Sequence, residues 1–104
     1  MAKNFVSTGG QLSFVAPAGG VVSGKPIKIG ALTVVPLESA ATGAEFTGAT
    51  GGVWLLPCDT ALAVGAAVKW DGAKLVADTA KDADDFGKLV SGGASGYAEA
   101  LIVQ

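Results

Sequence analysis

The chain has 104 residues, of which 50% are hydrophobic and only 15% are charged; it has no histidine, and its seven basic residues are all lysines. A chain of this length supports one domain with one small core. Without histidine it lacks the usual general base and metal ligand at neutral pH, and without arginine it lacks the usual bidentate clamp for phosphate. The composition therefore favours a structural or binding protein over an enzyme, with no cofactor or metal expected.

Charge and hydropathy also bear on the partners of the chain. The mean hydropathy is +0.51 and the net charge is −2, so the surface is either unusually apolar or buried against other subunits. The lysines are scattered singly, and no nucleic-acid partner is therefore expected. The N-terminal residues lack the apolar segment of a signal peptide, and no apolar run reaches the length of a membrane span. We expect synthesis in a cytoplasm and no membrane partner.

Residues 1–10 include the polar Lys3, Asn4, Ser7 and Thr8 and end in two glycines. We expect them to form an extended N-terminal arm outside the sheet, with residues 11–104 forming a single β domain. Phe5 and Val6 are apolar, yet the arm offers no core in which to bury them. The arm is therefore expected to become ordered on a partner, by adding strand-like hydrogen bonds to an exposed sheet edge.

After the arm, short runs of alternating apolar and polar residues are separated by glycine and proline. These runs lie at residues 11–14, 27–29, 32–36, 44–47, 53–56, 68–76 and 97–103. Their spacing predicts an all-β fold, a small antiparallel β-barrel or sandwich with little helix. Only residues 60–68 and 79–85 could hold a short helical turn.

Residues 19–25 match most of a nucleotide-binding P-loop, because glycines precede Lys25. Pro26, however, stands where that motif needs a serine or threonine hydroxyl for Mg²⁺. A P-loop must also lead into a helix, whereas residues 27–30 continue as a strand. A glycine-rich turn is therefore the better interpretation.

The strongest local prediction is a hairpin at Asp71-Gly72, a dipeptide that favours two-residue turns between strands. This turn would set the cross-strand pairs Trp70–Ala73, Lys69–Lys74 and Val68–Leu75. Trp70 and Leu75 would then face inward. The two lysines would lie opposite each other, which is tolerable in water or beside an acidic partner.

Residues 82–87 begin like a calcium-binding loop and end in the Asp-Phe-Gly of protein kinases. Phe86 stands where a calcium loop needs an oxygen ligand, and Gly93 stands in place of its bidentate glutamate. No kinase catalytic loop accompanies the motif. The segment is therefore predicted to be a solvated acidic turn, and the separate Glu38, Glu45 and Glu99 offer no acid–base pair.

The two tryptophans and the single cysteine are the remaining candidates for chemistry. Exposed Trp54 or Trp70 would suggest stacking on carbohydrate or single-stranded nucleic acid. Without basic neighbours, packing in the core or against another subunit is the stronger interpretation. Cys58 has no cysteine or histidine partner and is predicted to be a small buried hydrophobe after Pro57.

Four blocks of sequence, taken in order, resemble a known family. They are Lys3-Asn4-Phe5-Val6, residues 16–21 with Ser23-Gly24, residues 52–57 and residues 65–71. The chain resembles the small tailed-phage head proteins known as capsid cement or decoration proteins. The resemblance covers nearly the whole chain and departs from the family at residues 81–96. Some members are labelled RecA/RadA-like recombinases, a label that Pro26 argues against.

The resemblance implies a β-rich, non-enzymatic protein that binds the outer surface of an assembled capsid and stabilises it. It implies two partners, the major capsid protein and other copies of the chain in a homotrimer. It also implies a location on the outside of the virion. The family offers no catalytic residues to carry over. Within the arm, we expect Lys3, Asn4, Phe5 and Val6 to contact the capsid.

Two other function classes remain open from the sequence. One is a non-enzymatic β module that binds a ligand or glycan through Trp54 or Trp70, which ligand quenching of tryptophan fluorescence would favour. The other is a hydrolase fragment that uses aspartate or lysine, which turnover abolished by a single aspartate substitution would favour.

Overall fold

The computed structural model describes residues 9–104 and contains, within that range, nine β-strands and no helix. The strands are β1 (Gln11–Val15), β2 (Ile27–Ile29), β3 (Leu32–Pro36), β4 (Glu45–Ala49), β5 (Val53–Pro57), β6 (Ala67–Trp70), β7 (Leu75–Ala77), β8 (Asp84–Leu89) and β9 (Tyr97–Ile102). The predicted all-β fold is confirmed, and the turns considered at residues 60–68 and 79–85 are not helical. No helix in the described range is long and apolar enough to cross a membrane.

The strands form two antiparallel sheets that follow each other along the chain. The first sheet has the order β1-β4-β3-β2 and the second has the order β5-β9-β8-β6-β7. The second sheet curls, so that Cys58, just after β5, meets Leu75 of β7 at an isolated bridge. There the Asp59 N–H donates to the Leu75 carbonyl at 2.9 Å. Because the edge strands β5 and β7 meet at a single isolated bridge within the described residues, the second sheet does not close into a barrel.

The second sheet encloses the larger of two cores. On β9 the residues alternate in burial, with Ala98, Ala100 and Ile102 inward, as a half-buried strand requires. The large core consists of Val35, Leu56, Cys58, Val68, Trp70, Leu75, Phe86, Leu89, Ala98, Ala100 and Ile102.

The first sheet has a small core of its own, made of Ala16, Val21, Val34 and Phe46. Phe46 packs against the half-buried Phe14, with ring centroids 5.8 Å apart. Gly48 lies beside Phe14 and Val34, and a Cβ there would come within 3.2 Å of the Phe14 ring and collide with the Val34 side chain. The small core therefore depends on a glycine to let Phe14 and Val34 pack closely.

The two sheets are joined through β3. Val35 belongs to the large core although its strand belongs to the first sheet. The buried Thr33 donates its hydroxyl to the Asp85 carbonyl at 2.8 Å, and its N–H donates to Gln104 Oε1 at 3.0 Å. The Gln104 amide in turn donates to the carbonyls of Thr33 and Thr50 at 2.8 Å. These bonds connect positions that are far apart in sequence.

The prediction of an acidic turn at residues 82–87 is wrong, because β8 begins at Asp84 and lies in the middle of the second sheet. Its pairing with β6 shifts register between Val68 and Lys69, so the strand contains an irregularity of the β-bulge type. Phe86 and Leu89, three residues apart, both face the core. The bulge thus breaks the period of two by which strands are recognised from sequence.

The hairpin between β6 and β7 forms, but the predicted pairs are wrong by two residues. Trp70 pairs with Leu75, and Val68 pairs with Ala77. The turn moves to Gly72-Ala73, since the Asp71 carboxylate accepts hydrogen bonds from the N–H groups of Ala73 and Lys74, both at 2.8 Å. Because side chains alternate between the two faces of a strand, a shift of two residues leaves each side chain on its predicted face. The inward orientation of Trp70 and Leu75 is confirmed.

Candidate functional site

The P-loop-like segment lies in an irregular loop of the first sheet. Pro26 is buried and leads directly into β2, as the sequence predicts. The loop and the β6–β7 turn line a cleft of ≈510 Å³, with Lys25 and Lys28 among its lining residues. No helix N-terminus is present in this part of the chain to receive a phosphate, so the loop lacks the geometry of a nucleotide site.

The acidic residues near β8 and in the β6–β7 turn take part in contacts that support the fold. Asp85 forms an ion pair with Lys69 at 3.8 Å, so the lysine that was expected opposite Lys74 instead meets an acidic partner. Within residues 9–104, no group of three or more cysteine, aspartate and glutamate side chains is arranged to hold a metal ion. Hydrogen bonds from the backbone N–H groups of Ala73 and Lys74 hold the pKa of Asp71 below its ordinary value, which keeps the turn carboxylate ionised.

The two tryptophans differ in exposure, since Trp70 is buried and Trp54 is partly exposed. Trp70 is only 8% exposed and belongs to the large core. Trp54 is partly buried against that core, and its indole N–H donates to the Gly51 carbonyl at 3.0 Å. Core packing, the stronger interpretation from sequence, accounts for Trp70, whereas Trp54 packs on the core with part of its side chain and also lines a surface cleft.

Cys58 is buried in the large core, as predicted. Burial, and after it the charge of Asp59, raises the pKa of the thiol above its ordinary value. A thiol that resists ionisation is a poor nucleophile. Cys58 is therefore a packing residue.

The surface that does stand out is the outer face of β5 and β9. Paired residues of antiparallel strands lie on the same face, and the register places Leu55 beside Glu99 and Val53 beside Leu101. Leu55 is 68% exposed and Tyr97 is 55% exposed. We name as the β5–β9 face the exposed apolar residues Val53, Leu55, Val90, Tyr97 and Leu101 together with two charged residues, Glu99 and the exposed Lys88, which pairs with Leu101.

Among residues 9–104, β5 is the outermost strand of the second sheet and meets β7 at the Cys58–Leu75 bridge, so this face lies at a sheet edge. Hydrogen bonds from Cys58 to Gly96 and from Ile102 to Gly52 show that the even-numbered residues of β5 bond to β9. In an antiparallel ladder the backbone groups of alternate residues point to opposite sides. The N–H and C=O groups of Val53 and Leu55 therefore point away from β9, along this edge.

The β5–β9 face was not identified from the sequence, although β9 carried a signal of it. One side of β9 has alanines at Ala98 and Ala100, while the other side has the large Tyr97 and Leu101. Ala98 and Ala100 face the core together with Ile102, whereas Tyr97 and Leu101 face outward. A strand whose larger apolar residues are exposed indicates a surface that is covered by a partner.

The arm residues expected to contact the capsid, Lys3, Asn4, Phe5 and Val6, lie outside the described residues. The described chain begins at Gly9 and Gly10, whose carbonyls accept hydrogen bonds from the Thr50 hydroxyl and the Thr50 N–H, respectively. These bonds extend the β1–β4 pairing to Gly9 and Gly10.

Comparison with known proteins decides the family. The model of a phage cement protein family matches residues 6–104. The chain belongs to the phage cement protein family. No curated protein and no solved structure matches it. Family membership indicates a capsid-stabilising structural role and a place on the virion capsid, in agreement with the resemblance found in the sequence.

Proposed function

We propose that this phage cement protein binds the outer surface of the assembled head, contacts the major capsid protein and stabilises the shell against the pressure of packaged DNA. The family match over residues 6–104 carries the proposal. The protein acts without catalysis and without a cofactor. It associates with further copies of itself as a homotrimer, and it is made in the host cytoplasm before it joins the virion.

The described residues support a binding role. A low charged fraction and an apolar β5–β9 face suit a protein that works while covered by a partner. The N-terminal arm, with Lys3, Asn4, Phe5 and Val6, supplies a second contact with the capsid. Because shell symmetry arranges many copies on one head, contacts that are weak one by one add up to strong overall binding.

A decoration assay tests this function. Heads that lack the protein are mixed with purified wild type, with a variant lacking residues 1–8, and with a wild type inactivated by heat as a blank. We expect wild type to occupy the heads and raise the temperature at which they release DNA. The variant should fold and self-associate like wild type, as circular dichroism and sedimentation show, but lose binding.

Two outcomes would contradict parts of the proposal. Wild type that leaves heads bare would rule out decoration of the outer surface. A truncated protein that reaches full occupancy would exclude the arm as a capsid contact and move that contact to the described residues.

A further inference from the structure

We propose that Asp71-Gly72 is a modification site, at which the aspartate isomerises spontaneously to isoaspartate, and that the β6–β7 turn restrains this reaction while the turn is formed. The site is independent of the proposed function. Three features of the described residues lead to it: the residue that follows the aspartate, the hydrogen bonds of the carboxylate, and the conformation that the turn requires.

Isomerisation begins when the backbone nitrogen of Gly72 attacks Cγ of the Asp71 side chain. A bond forms between this nitrogen and Cγ, the nitrogen loses its proton, and the carboxyl group loses one oxygen as water, which leaves a cyclic imide. Water then adds to one of the two imide carbonyls and opens the ring. Opening at one carbonyl restores aspartate, whereas opening at the other routes the main chain through Cβ and Cγ and gives isoaspartate.

The sequence favours this reaction at residue 71. Asp71 is the one aspartate of the chain that is followed by glycine, and the others precede threonine, alanine, aspartate or phenylalanine, whose side chains crowd the attacking nitrogen. Glycine has no side chain and imposes no such barrier. Asp71 and Gly72 are both exposed, and within residues 9–104 the Gly72 N–H donates no hydrogen bond. The nucleophile and water therefore both have access to the carboxyl group.

The folded turn stabilises the starting carboxylate. Its Oδ1 accepts hydrogen bonds from the N–H groups of Ala73 and Lys74, both at 2.8 Å. Hydrogen bonds to a charged acceptor are about twice as strong as those to a neutral one, and formation of the imide removes the charge. The same bonds hold the pKa of Asp71 below its ordinary value, and only the protonated carboxyl group can lose an oxygen as water. The reaction is therefore slower while the turn is formed.

The fold requires both of the residues that react. Gly72 has a φ of 101°, in the region that favours glycine, and Asp71 supplies the acceptor that sets the turn. Isoaspartate adds Cβ to the main chain and moves the free carboxylate onto Cα, so the two N–H groups lose their acceptor. The change lies next to the pair of Trp70 with Leu75, which both belong to the large core. The modified chain should therefore be less stable.

The test compares the rate of isomerisation in folded and unfolded protein. The full chain is kept at physiological temperature in a mildly acidic buffer, with and without enough urea to unfold it. Digestion with a protease that cleaves at aspartate but not at isoaspartate, followed by mass spectrometry, measures the modified fraction at residue 71. The peptides that contain Asp59 and Asp78, both followed by threonine, are the internal controls.

We expect isoaspartate to accumulate at residue 71 in both samples, at least about tenfold more slowly in the folded protein, the factor that corresponds to one hydrogen bond to a charged group. Ala73→Pro removes one N–H donor and should bring the folded rate closer to the unfolded rate. Ala73 lies outside the positive-φ region, as proline requires. Ala73→Val keeps the N–H and is the matched control. The comparison of wild type with and without urea needs no variant.

A second measurement concerns stability. Protein that carries isoaspartate at residue 71 is separated by chromatography, and it should unfold at a temperature several degrees below that of the unmodified protein.

Three results would contradict the proposal. Absence of isoaspartate at residue 71 in both samples would exclude the site, and equal rates with and without urea would exclude restraint by the turn. A modified chain that unfolds like the unmodified one would show that the turn does not depend on the Asp71 carboxylate. None of these measurements uses heads, so their failure is distinct from failure of the proposed function.

Discussion

The two sheets differ in how much buried side-chain volume supports them. The second sheet surrounds the large core, which includes the fully buried Phe86 and Leu75. The first sheet has only the small core, in which Phe46 packs against half-buried neighbours such as Phe14. Since burial of apolar area supplies most of the stability of a domain, the second sheet is the more stable part, and the first sheet depends on it.

The largest expected loss of stability comes from a matched pair of core truncations. Phe86→Ala should lower the free energy of unfolding by about 5 kcal/mol and Phe46→Ala by about 3 kcal/mol, the two ends of the range for phenylalanine in a core. Phe86 belongs to a core of eleven buried residues, which resists collapse, whereas Phe46 has three buried partners and four half-buried neighbours that can relax into the cavity. Urea unfolding of both variants measures the difference.

Equal costs for the two truncations would show that the small core is as rigid as the large one. Hydrogen exchange adds a second measurement. In Phe46→Ala, the amides of β3 and β4 should lose protection while those of β8 and β9 keep it. The reverse pattern would contradict the dependence of the first sheet on the second.

The sequence predicted the strands that alternate regularly and failed where tertiary contacts change the period. Regular runs such as Ile27–Ile29 and Tyr97–Ile102 were located to within a residue or two. The strand β8 was missed, because its bulge places Phe86 and Leu89 three residues apart on one face. The bulge is set by pairing with β6 and β9, and local sequence carries little information about such pairing.

The candidate site, too, was only partly predictable from the sequence. The alternation of β9 was visible, but its inward side could not be chosen, because larger apolar residues would ordinarily be expected to face the core. Only the assembled sheet shows that Ala98, Ala100 and Ile102 face the large core, to which Phe86 and Trp70 contribute larger side chains. The hairpin register failed for a local reason, because the Asp71 side chain accepts hydrogen bonds from Ala73 and Lys74 and moves the turn.

The next prediction concerns the glycine inside the bulge of β8. A Cβ on Gly87 would collide with the Leu101 carbonyl and come within 2.7 Å of the Val103 nitrogen. Both obstacles are backbone atoms of the neighbouring chain segment, so they cannot move aside as a side chain would. Gly87→Ala should therefore cost about 3 kcal/mol of stability, at the upper end for overpacking.

Gly92→Ala is the matched control for this prediction. Gly92 belongs to the same half of the chain, and the nearest atom to its Cβ position is the Leu62 carbonyl oxygen at 3.9 Å, an ordinary contact. Thermal unfolding should show Gly92→Ala close to wild type and Gly87→Ala far below it. Similar unfolding temperatures for the two variants would mean that β8 and β9 separate easily at the bulge.

The smallest predicted effect concerns the connection between the sheets, and it tests our proposal that residues 11–104 fold as one unit. Thr33→Val keeps the size of the side chain but removes the hydrogen bond to the Asp85 carbonyl. Loss of a part-buried hydrogen bond costs about 1 kcal/mol. Thr47→Val is the control: it makes the same change in β4, where no hydrogen bond from the Thr47 hydroxyl is present within residues 9–104, and it should cost less.

Two spectroscopic probes then distinguish unfolding of the second sheet from unfolding of the whole domain. Trp54 and Trp70 both lie in the second sheet, so tryptophan fluorescence follows that sheet, whereas circular dichroism follows both. In wild type the two unfolding curves should coincide, as they do for a single cooperative unit. In Thr33→Val the curve from circular dichroism should begin at a lower temperature, because the weakened connection lets the first sheet open before the second. Separate curves already in wild type would contradict the single β domain and make each sheet a unit of its own.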